Sequence, residues 1–565
     1  MKRYGLVCFG ILIFLICVFI SFNRLIITDE SDFIKAGKAV ATTGIPVYYY
    51  SNEECSSTIG LWHPPLYLSL MGIFFRLFGQ TSQSAQLVGI ISFFLNLILI
   101  YFISKEFFVE EKKKSLIISL AIFLYSINPL IIKGSLFIDI DNSILTTLIT
   151  FFLFIFIRLK KRNSGIDGDI LLGFLFGGIL WAKFQSLLLI PAIVLYQLFN
   201  RNYKRAIIQG IIVTLVGWGF FLVSWWIYCQ ISQLPFSMPF LHNFGPFLRP
   251  SASSDNLLSK TLFSLGMIRN VILWTCPLFF FFFVFLGVKI IKDYFVNKRL
   301  TLLDFLFLYG ILVVLAYTVL GRGTAGFPKY YIPMMPALSI VIAAFVSQYI
   351  PEMSKKTLLT AITILIAGIF FCLFVIGDPL LLPFTPKRSL LSNPDAVKTL
   401  IIKSLSPSFF YLLLLGIITG IIKFIERRMG FLNILTLATF LSLVSANVSV
   451  DILQAKAKYA TIYNYGEKGM KDTIEYLKAV VGKEDILICP KDVAYYVRTR
   501  FFCNNHPPEW TEEKLRKIIK ENFFRYVVFR KNFYYQVNYD PNEILAPMYE
   551  KVKNFGDFEI YQRKE

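Results

Sequence analysis

Runs of about 20 apolar residues recur along this chain, and each is long enough to cross roughly 30 Å of hydrocarbon as a helix. Inside a bilayer every backbone hydrogen bond must be made within the protein, so such runs fold as helices rather than as open sheets. Hydrophobic residues make up 56% of the 565 residues, which is more than soluble globular proteins usually contain. The sequence therefore predicts a polytopic, α-helical membrane protein.

About thirteen such runs are present by this length criterion. The segment from Trp181 to Gln185 favours a turn that divides the run at 169–199 into two short helices. The predicted spans lie near residues 5–27, 82–103, 115–132, 142–157, 169–182, 184–199, 206–230, 267–290, 301–320, 331–350, 357–377, 406–424 and 431–450.

The basic residues are concentrated in the loops on one side of these spans. By the positive-inside rule that side faces the cytoplasm, which accounts for much of the net charge of +21. A nucleic-acid partner is therefore not needed to explain the charge, and none is predicted. The basic loops are Met1 to Arg3, Lys112 to Lys114, Arg158 to Arg162, Arg201 to Arg205, Lys289 to Arg299, Lys355 to Lys356 and Glu426 to Arg428.

The first apolar run ends at Asn23 and Arg24, without the small residues of a signal-peptide cleavage site. We therefore predict a retained anchor in the plasma (inner) membrane, with a cytoplasmic N-terminus. Candidate chemistry is expected on the opposite, extracytoplasmic side. That side receives residues 28–81, the segment around Asp139, residues 231–266, 321–331 and 378–404, and everything after about residue 450.

The chain after residue 450 is charged and lacks long apolar runs. Residues 1–450 are therefore predicted to form the transmembrane domain, and residues 451–565 a soluble extracytoplasmic domain of ordinary size. Helix and strand patterns alternate in this second part, which predicts a small α/β domain. Its predicted elements are helices at Gly469 to Val481 and Thr511 to Asn522, and strands at Asp485 to Cys489 and Arg525 to Phe529.

Two cysteines, Cys489 and Cys503, lie in this soluble part. An oxidising compartment would permit a disulfide between them, and a pair of free buried thiols is the alternative. The cysteine spacings do not suggest a zinc site.

Two adjacent carboxylates, Asp29 and Glu30, follow the first predicted span directly. An amphipathic helix is predicted next, after which the chain returns to the membrane through the string His63-Pro-Pro-Leu. Asp29 could simply cap the following helix, and His63 could be an interfacial ring bonded to a carbonyl group. The other interpretation is a functional site in the outer loop 28–81, in which the two prolines fix the direction of His63.

This order of acidic pair, amphipathic helix and basic residue before Pro-Pro-Leu resembles the GT-C superfamily of polyprenyl-phosphate-sugar-dependent glycosyltransferases. The likeness is to the branch of protein O-mannosyltransferases and the lipid A aminoarabinose transferase. It implies that Asp29 is the first catalytic acid and Glu30 its acidic neighbour. It also places His63 where the aminoarabinose branch usually has a lysine that contacts the carrier phosphate. Histidine departs from that pattern, but a phosphate nearby would favour its cationic form.

Two further carboxylates, Asp139 and Asp141, stand just before the predicted span at 142–157. The resemblance implies one acid here, and Asp141 fits the register better than Asp139. Asp141 or Asn142 would also be a good N-cap for the span. The Asp-x-Asp pattern occurs in metal-dependent nucleotide-sugar transferases, yet nucleotide sugars are not expected outside the cell. A divalent cation therefore stays an open question, and no cofactor is assigned.

The stretch at 321–339 enters a predicted span from the same side. It resembles the family loop that brings a cation and a tyrosine to the lipid phosphate, and it nominates Arg322, Lys329, Tyr330 and Tyr331. Snorkelling cations and an aromatic belt are the alternative, and for Tyr331 alone the belt is the better explanation.

Arg249, in another outer segment, is a further candidate for phosphate binding. Together these features predict a membrane glycosyltransferase that moves a sugar from a polyprenyl phosphate to an extracytoplasmic acceptor, with inversion and with Asp29 as general base. The predicted partners are this donor, a lipid, glycan or protein acceptor, and membrane lipids.

The alternative function is a transporter or flippase of lipid-linked sugars. Its ionisable residues would be expected near the bilayer midplane, whereas the carboxylates here cluster at one face. The oligosaccharyltransferase branch of the same superfamily carries a Trp-Trp-Asp motif in its outer domain. Here the pair Trp225-Trp226 is followed by Ile227 within a span, which disfavours that branch.

Overall fold

The computed structural model describes most of the chain, and the first part of it is helical. The described residues are 5–26, 29–46, 63–107, 111–240, 277–317, 328–349, 355–376, 394–425, 429–456, 468–482, 484–498, 500–503, 512–530 and 540–564. Up to Ser232 the helices are Gly5–Ser21 (α1), Asp29–Thr43 (α2), Leu66–Phe78 (α3), Ser82–Phe107 (α4), Glu111–Ser126 (α5), Pro129–Leu136 (α6), Thr146–Lys161 (α7), Ile166–Leu180 (α8), Leu189–Phe199 (α9) and Tyr203–Ser232 (α10).

Helices continue to the end of the membrane part. They are Pro277–Asn297 (α11), Leu302–Leu315 (α12), Met335–Tyr349 (α13), Lys355–Phe371 (α14), Pro394–Ile425 (α15) and Phe431–Lys456 (α16). Each predicted span overlaps at least one of these helices within the described residues, and the α-helical membrane fold class is confirmed.

The number of membrane crossings differs from the prediction. Among the described residues, six helices are long and apolar enough to cross a bilayer. A seventh crossing results if Lys114–Ser126 and Pro129–Leu136, which are bent by 58° at their junction, form one span. The break is local in origin, because Asn128 caps α6 by accepting from the Leu130 amide and Pro129 cannot continue α5. The count of about thirteen spans is therefore not confirmed.

Three membrane helices begin irregularly. A π-helical turn, Asp141–Leu145, precedes α7, and 3-10 turns at Phe184–Leu188 and Pro328–Met334 precede α9 and α13. The first and third of these turns pack against each other, and the second is joined to the third because Gln185 Nε2 donates to the Tyr330 carbonyl at 2.8 Å. Single π-helical turns often accompany functional sites, whereas 3-10 turns are common at the starts of helices.

Helices α2 and α3 pack closely against each other. A Cβ atom at Gly37 would lie 2.5 Å from Met71 Sδ, and one at Gly72 would lie 2.5 Å from Val40 Cγ1. A side chain at either position would therefore require neighbouring side chains to shift. The two helices therefore form one tightly packed pair, and α3 also packs against α4.

The chain after α16 forms a small α/β unit, as predicted. Its strands pair in the order β2-β1-β3-β5-β4, with β1 parallel to β2 and β3, and β5 antiparallel to β3 and β4. The elements are Met470–Val480 (α17), Ile486–Cys489 (β1), Lys491–Val497 (α18), Arg500–Cys503 (β2), Glu512–Glu521 (α19), Tyr526–Arg530 (β3), Pro541–Leu545 (α20), Tyr549–Phe555 (β4) and Phe558–Arg563 (β5).

Strands β2, β4 and β5 were not predicted. Strand β4 exposes most of its residues, so its hydrophobic pattern is weak, whereas β1 and β3 are buried apolar runs. Cys489, which is buried, stands opposite Cys503 in the parallel register of β1 and β2. The side chain of Cys503 lies outside the described part, so the choice between disulfide and thiols stays a prediction.

The sheet domain contacts the membrane helices through α18, which packs against α2. The Ile26 amide, at the end of the first span, donates to Tyr496 Oη at 2.8 Å. Burial raises the pKa of Tyr496, so the phenol stays neutral when it accepts this bond. Helix α16 extends to Lys456, and the division of the chain near residue 450 stays a prediction.

Candidate active site

Glu30 lies in a buried ion pair with Arg24 beside the start of α2. Arg24 Nη1 donates to Glu30 Oε2 at 2.8 Å, and Nη2 donates to the Leu136 carbonyl at 2.8 Å. Glu30 Oε1 also accepts from the Ile138 amide at 2.9 Å. The Glu30 carboxylate therefore fixes the segment that carries Asp29 against the segment that leads to Asp139.

Asp29 is the first residue of α2, and its side chain is 37% exposed. Its Oδ1 lies 3.5 Å from the Nζ atom of Lys491, which comes from the C-terminal sheet domain. Lys491 also forms an ion pair with Asp32, and both of these side chains are buried. Asp29 is therefore the accessible carboxylate of a three-residue cluster to which the two parts of the chain contribute.

Sequence analysis missed Lys491 and Asp32. Lys491 follows Pro490 at the carboxyl end of β1, an edge where parallel sheets commonly place functional groups. Its position after a predicted strand could have identified Lys491 as a candidate site residue. Asp32 carried no signal beyond being an acidic residue one turn after Asp29.

Replacing Lys491 with methionine is expected to destabilise the protein by about 3–5 kcal/mol, because it leaves the buried Asp32 carboxylate without its cation. Thermal unfolding of the purified full-length protein measures this. Lys471→Met removes a lysine that is 66% exposed in the same domain and should change the midpoint little. The double variant Lys491→Met/Asp32→Asn should recover part of the loss. Equal midpoints for Lys491→Met and Lys471→Met would contradict the assignment.

A second cluster lies at the three irregular helix starts. Lys183 Nζ contacts both oxygens of Asp141 at 2.7 Å, and Lys329 Nζ contacts Asp139 Oδ2 at 2.5 Å. Asp139 and Asp141 are 2% and 0% exposed, so both carboxylates are buried with a lysine partner. Each lysine offsets the desolvation cost that its buried carboxylate would have without a cation.

Tyr330 lies between the two lysines. Lys183 Nζ is 4.5 Å and Lys329 Nζ 5.5 Å from the centroid of its ring, both within cation–π range. Tyr317 stacks on the Tyr330 ring, with centroids 4.9 Å apart. Both lysines therefore lie close to the same ring, which joins the two ion pairs into one cluster.

The other predicted residues take different positions. His63 stands just before α3, whose first amide, that of Leu66, donates to the Trp181 carbonyl at 3.3 Å. This bond places the His63 segment beside the turn that carries Lys183. Tyr331 is fully buried, and its hydroxyl has no hydrogen-bond partner among the described residues. Arg322 and Arg249 lie outside the described residues.

Lys183 is the main residue that sequence analysis overlooked. It was part of the segment used to divide an apolar run, and no role was given to its charge. An ionisable residue inside such a run is by default a candidate for function, and that rule would have found it. A metal site is not evident in the described ranges, where no three His, Cys, Asp or Glu side chains are grouped to hold an ion.

Comparison with known proteins places these features in a family context. The model of the dolichyl-phosphate-mannose-protein mannosyltransferase family matches residues 62–228, a segment that includes His63, Asp139, Asp141 and Lys183. No curated protein matches the sequence.

Solved structures match over nearly the whole chain. ArnT from Cupriavidus metallidurans in the apo state has a TM-score of 0.58 at 13% identity, covering 99% of this chain and 98% of that one. The same protein bound to undecaprenyl phosphate has a TM-score of 0.57 at 13% identity, with the same coverage. The apo oligosaccharyltransferase from Archaeoglobus fulgidus has a TM-score of 0.50 at 12% identity, covering 94% and 70%. The chain thus has the GT-C fold, and its likeness to the mannosyltransferase family over residues 62–228 confirms the resemblance that the sequence motifs indicated.

Proposed function

We propose that this protein is a membrane glycosyltransferase that transfers a sugar from a polyprenyl phosphate to an acceptor on the extracytoplasmic side. The observation that carries the proposal is the position of Asp29, a partly exposed carboxylate held beside the buried ion pair of Lys491 and Asp32. The family match over residues 62–228 and the ArnT structure with undecaprenyl phosphate support the donor class.

The charges of the site favour additional cations near the donor phosphate. Among the described side chains of the two clusters, the carboxylates outnumber the ammonium groups by one. A bound phosphate adds negative charge, so its site needs cations beyond the paired lysines. In this proposal Arg322, Arg249 and protonated His63 supply these additional cations, and Lys329 also faces the phosphate while it stays paired with Asp139. The carboxylates are Asp29, Asp32, Asp139 and Asp141, and the ammonium groups are Lys183, Lys329 and Lys491.

The transfer is a single displacement. An acceptor hydroxyl oxygen attacks the anomeric carbon, the bond from that carbon to the phosphate oxygen breaks, and polyprenyl phosphate leaves with the bonding electrons. Asp29 takes the acceptor proton as general base. Lys329, His63 and the arginines stabilise the charge on the departing phosphate, and the anomeric configuration inverts. Tyr330 and Tyr331 shape the wall beside the phosphate, while Glu30, Asp139 and Asp141 position the reacting groups.

Release of polyprenyl phosphate tests this function even when the acceptor is unidentified. Purified protein in liposomes is given a radiolabelled polyprenyl-phosphate sugar and a membrane extract as the source of acceptors. A transferase cleaves the donor, and NMR of the product gives its anomeric configuration. Movement of intact donor across the liposome, with no cleavage in the presence of extract, would instead identify a transporter and contradict the proposal.

Arg322→Ala is expected to weaken donor binding by about tenfold or more, the usual value of a charge-assisted hydrogen bond to phosphate. The control is Arg299→Ala, which removes an exposed arginine from a basic loop predicted to lie at the other membrane face. Titration of the purified variants with labelled donor measures the affinity. If both variants bind the donor as the wild type does, Arg322 is not part of the phosphate site.

A further inference from the structure

A polar cavity lies far from the Asp29 site, at the other end of the same helices. Asp141 and Lys160 stand near opposite ends of a 21-residue helical segment, about 30 Å apart at 1.5 Å per residue. The cavity encloses about 280 Å³ between the end of α7 and the starts of α8 and α10. That is slightly less than the roughly 300–1,000 Å³ of pockets for drug-sized ligands, so it suits a headgroup rather than a nucleotide sugar.

One wall of the cavity holds a buried carboxylate, that of Asp169, which lacks a hydrogen-bond donor at one oxygen within the described part of the chain. Asp169 is 1% exposed, and its Oδ1 accepts from Arg205 Nη2 at 2.7 Å and from Gln209 Nε2 at 2.6 Å. Its Oδ2 is also buried but has no partner among the described residues. A buried carboxylate oxygen is costly without a donor, so a ligand hydroxyl or amine would be favoured here.

The same cavity presents two cations. Lys160 Nζ donates to Gln197 Oε1 at 3.2 Å, and an ammonium group has three donors to offer. Lys160 and Arg205 carry two positive charges against the single negative charge of Asp169. The cavity therefore favours a ligand that carries one net negative charge and also a hydroxyl donor, since an ammonium donor would add to the positive charge.

The surroundings indicate that this ligand belongs to the membrane. Large apolar side chains on the helices that form the cavity are exposed, including Ile166 of α8 at 57% and Ile207 of α10 at 62%. Phe156 and Leu172 line the cavity itself. Basic pockets between membrane helices commonly bind the headgroups of anionic lipids.

We propose that this cavity is a binding site for a phosphoglycerol-type anionic phospholipid, separate from the glycosyl-transfer site. The phosphodiester contacts Lys160 and Arg205, and a glycerol hydroxyl donates to Asp169 Oδ2. The acyl chains lie along the apolar faces of α8 and α10. The proposal concerns residues that the transfer reaction does not use, so it stands whether or not the glycosyltransferase function is correct.

Lipid titration followed by native mass spectrometry of the full-length protein tests the site. Phosphatidylglycerol is compared with phosphatidylmethanol, which has the same charge but lacks the headgroup hydroxyls. Wild type should bind phosphatidylglycerol about tenfold more tightly, because only its hydroxyl satisfies the buried carboxylate. In Asp169→Asn the affinities for phosphatidylglycerol and phosphatidylmethanol should differ less than in the wild type. Equal affinity of wild type for the two lipids would overturn the proposal.

Matched charge variants locate the binding. Arg205→Gln and Lys160→Gln should each weaken phosphatidylglycerol binding about tenfold, whereas Lys204→Gln, an exposed lysine beside Arg205, should change it less than about threefold. Thermal unfolding shows whether each variant folds. If either Arg205→Gln or Lys160→Gln fails to fold, the affinity of the other one tests the site. Equal losses in Lys204→Gln and the folded cavity variants would contradict the site. Displacement of the lipid by equimolar free glycerophosphoglycerol would show that the ligand is a soluble phosphodiester and overturn the assignment to a lipid.

Discussion

Asp29→Asn is expected to lower turnover by about 100-fold or more, which corresponds to over 2.7 kcal/mol of activation free energy. Asparagine keeps the size and much of the hydrogen-bonding capacity of aspartate, but it cannot take the proton of an acceptor hydroxyl. Because Asp29 is partly exposed and Lys491 keeps its partner Asp32, the stability of the protein should change by less than about 1 kcal/mol. Initial rates with saturating polyprenyl-phosphate sugar and acceptor measure the effect.

The control for this variant is Asp293→Asn, which makes the same chemical change at a side chain that is 51% exposed. Donor affinity should also survive in Asp29→Asn, which places the defect in the transfer step. If Asp29 only stabilises the start of α2, asparagine should replace it at a cost below about 1 kcal/mol, and activity should be retained. Near-normal turnover of the purified variant would therefore remove Asp29 from the role of base.

Lys183→Met is expected to lower the stability of the protein by about 3–5 kcal/mol, because the fully buried Asp141 carboxylate loses contacts to both of its oxygens. Methionine keeps the apolar length of lysine, so the cost arises from the unpaired charge rather than from a cavity. Thermal unfolding in a fixed detergent measures the change. Lys289→Met, at a lysine whose side chain is 38% exposed beside Asp293, is the matched control and should be nearly neutral.

The double variant Lys183→Met/Asp141→Asn separates structure from function. It removes both charges together, so most of the lost stability should return. If Lys183 also contributes positive charge to the donor phosphate, the affinity for the donor should stay about tenfold below that of wild type. A stable double variant with normal donor affinity would restrict Lys183 to a structural role. A Lys183→Met protein as stable as wild type would contradict the buried ion pair itself.

The positions of the membrane helices could be predicted because the bilayer imposes one rule on every span. An apolar run must be a helix of a certain length, and this rule depends on local sequence alone. Helices α1, α4 and α10 lie close to the predicted runs for that reason. The number of crossings depends on how helices bend and pack, and the break at Asn128 and Pro129 shows that adjacent apolar runs can turn instead of continuing.

The motifs identified the superfamily but only part of the site. Asp29, Asp141 and Lys329 could be nominated because the sequence around them resembles known motifs. Lys183 and Lys491 could not be placed from the sequence, since each meets its partner across a long separation along the chain. Lys491 reaches Asp29 and Asp32 only because the sheet domain packs on α2.

By itself, the sequence determined that this chain is a helical membrane protein with a small α/β domain, because hydrophobic length and periodicity are local properties. It also determined which carboxylates stand where helices begin. The tertiary structure decided which of those carboxylates are buried with a lysine and which one stays accessible. The physical reason is that a buried charge needs a partner, and the partner is supplied by helix packing, here by the irregular turns before α7, α9 and α13.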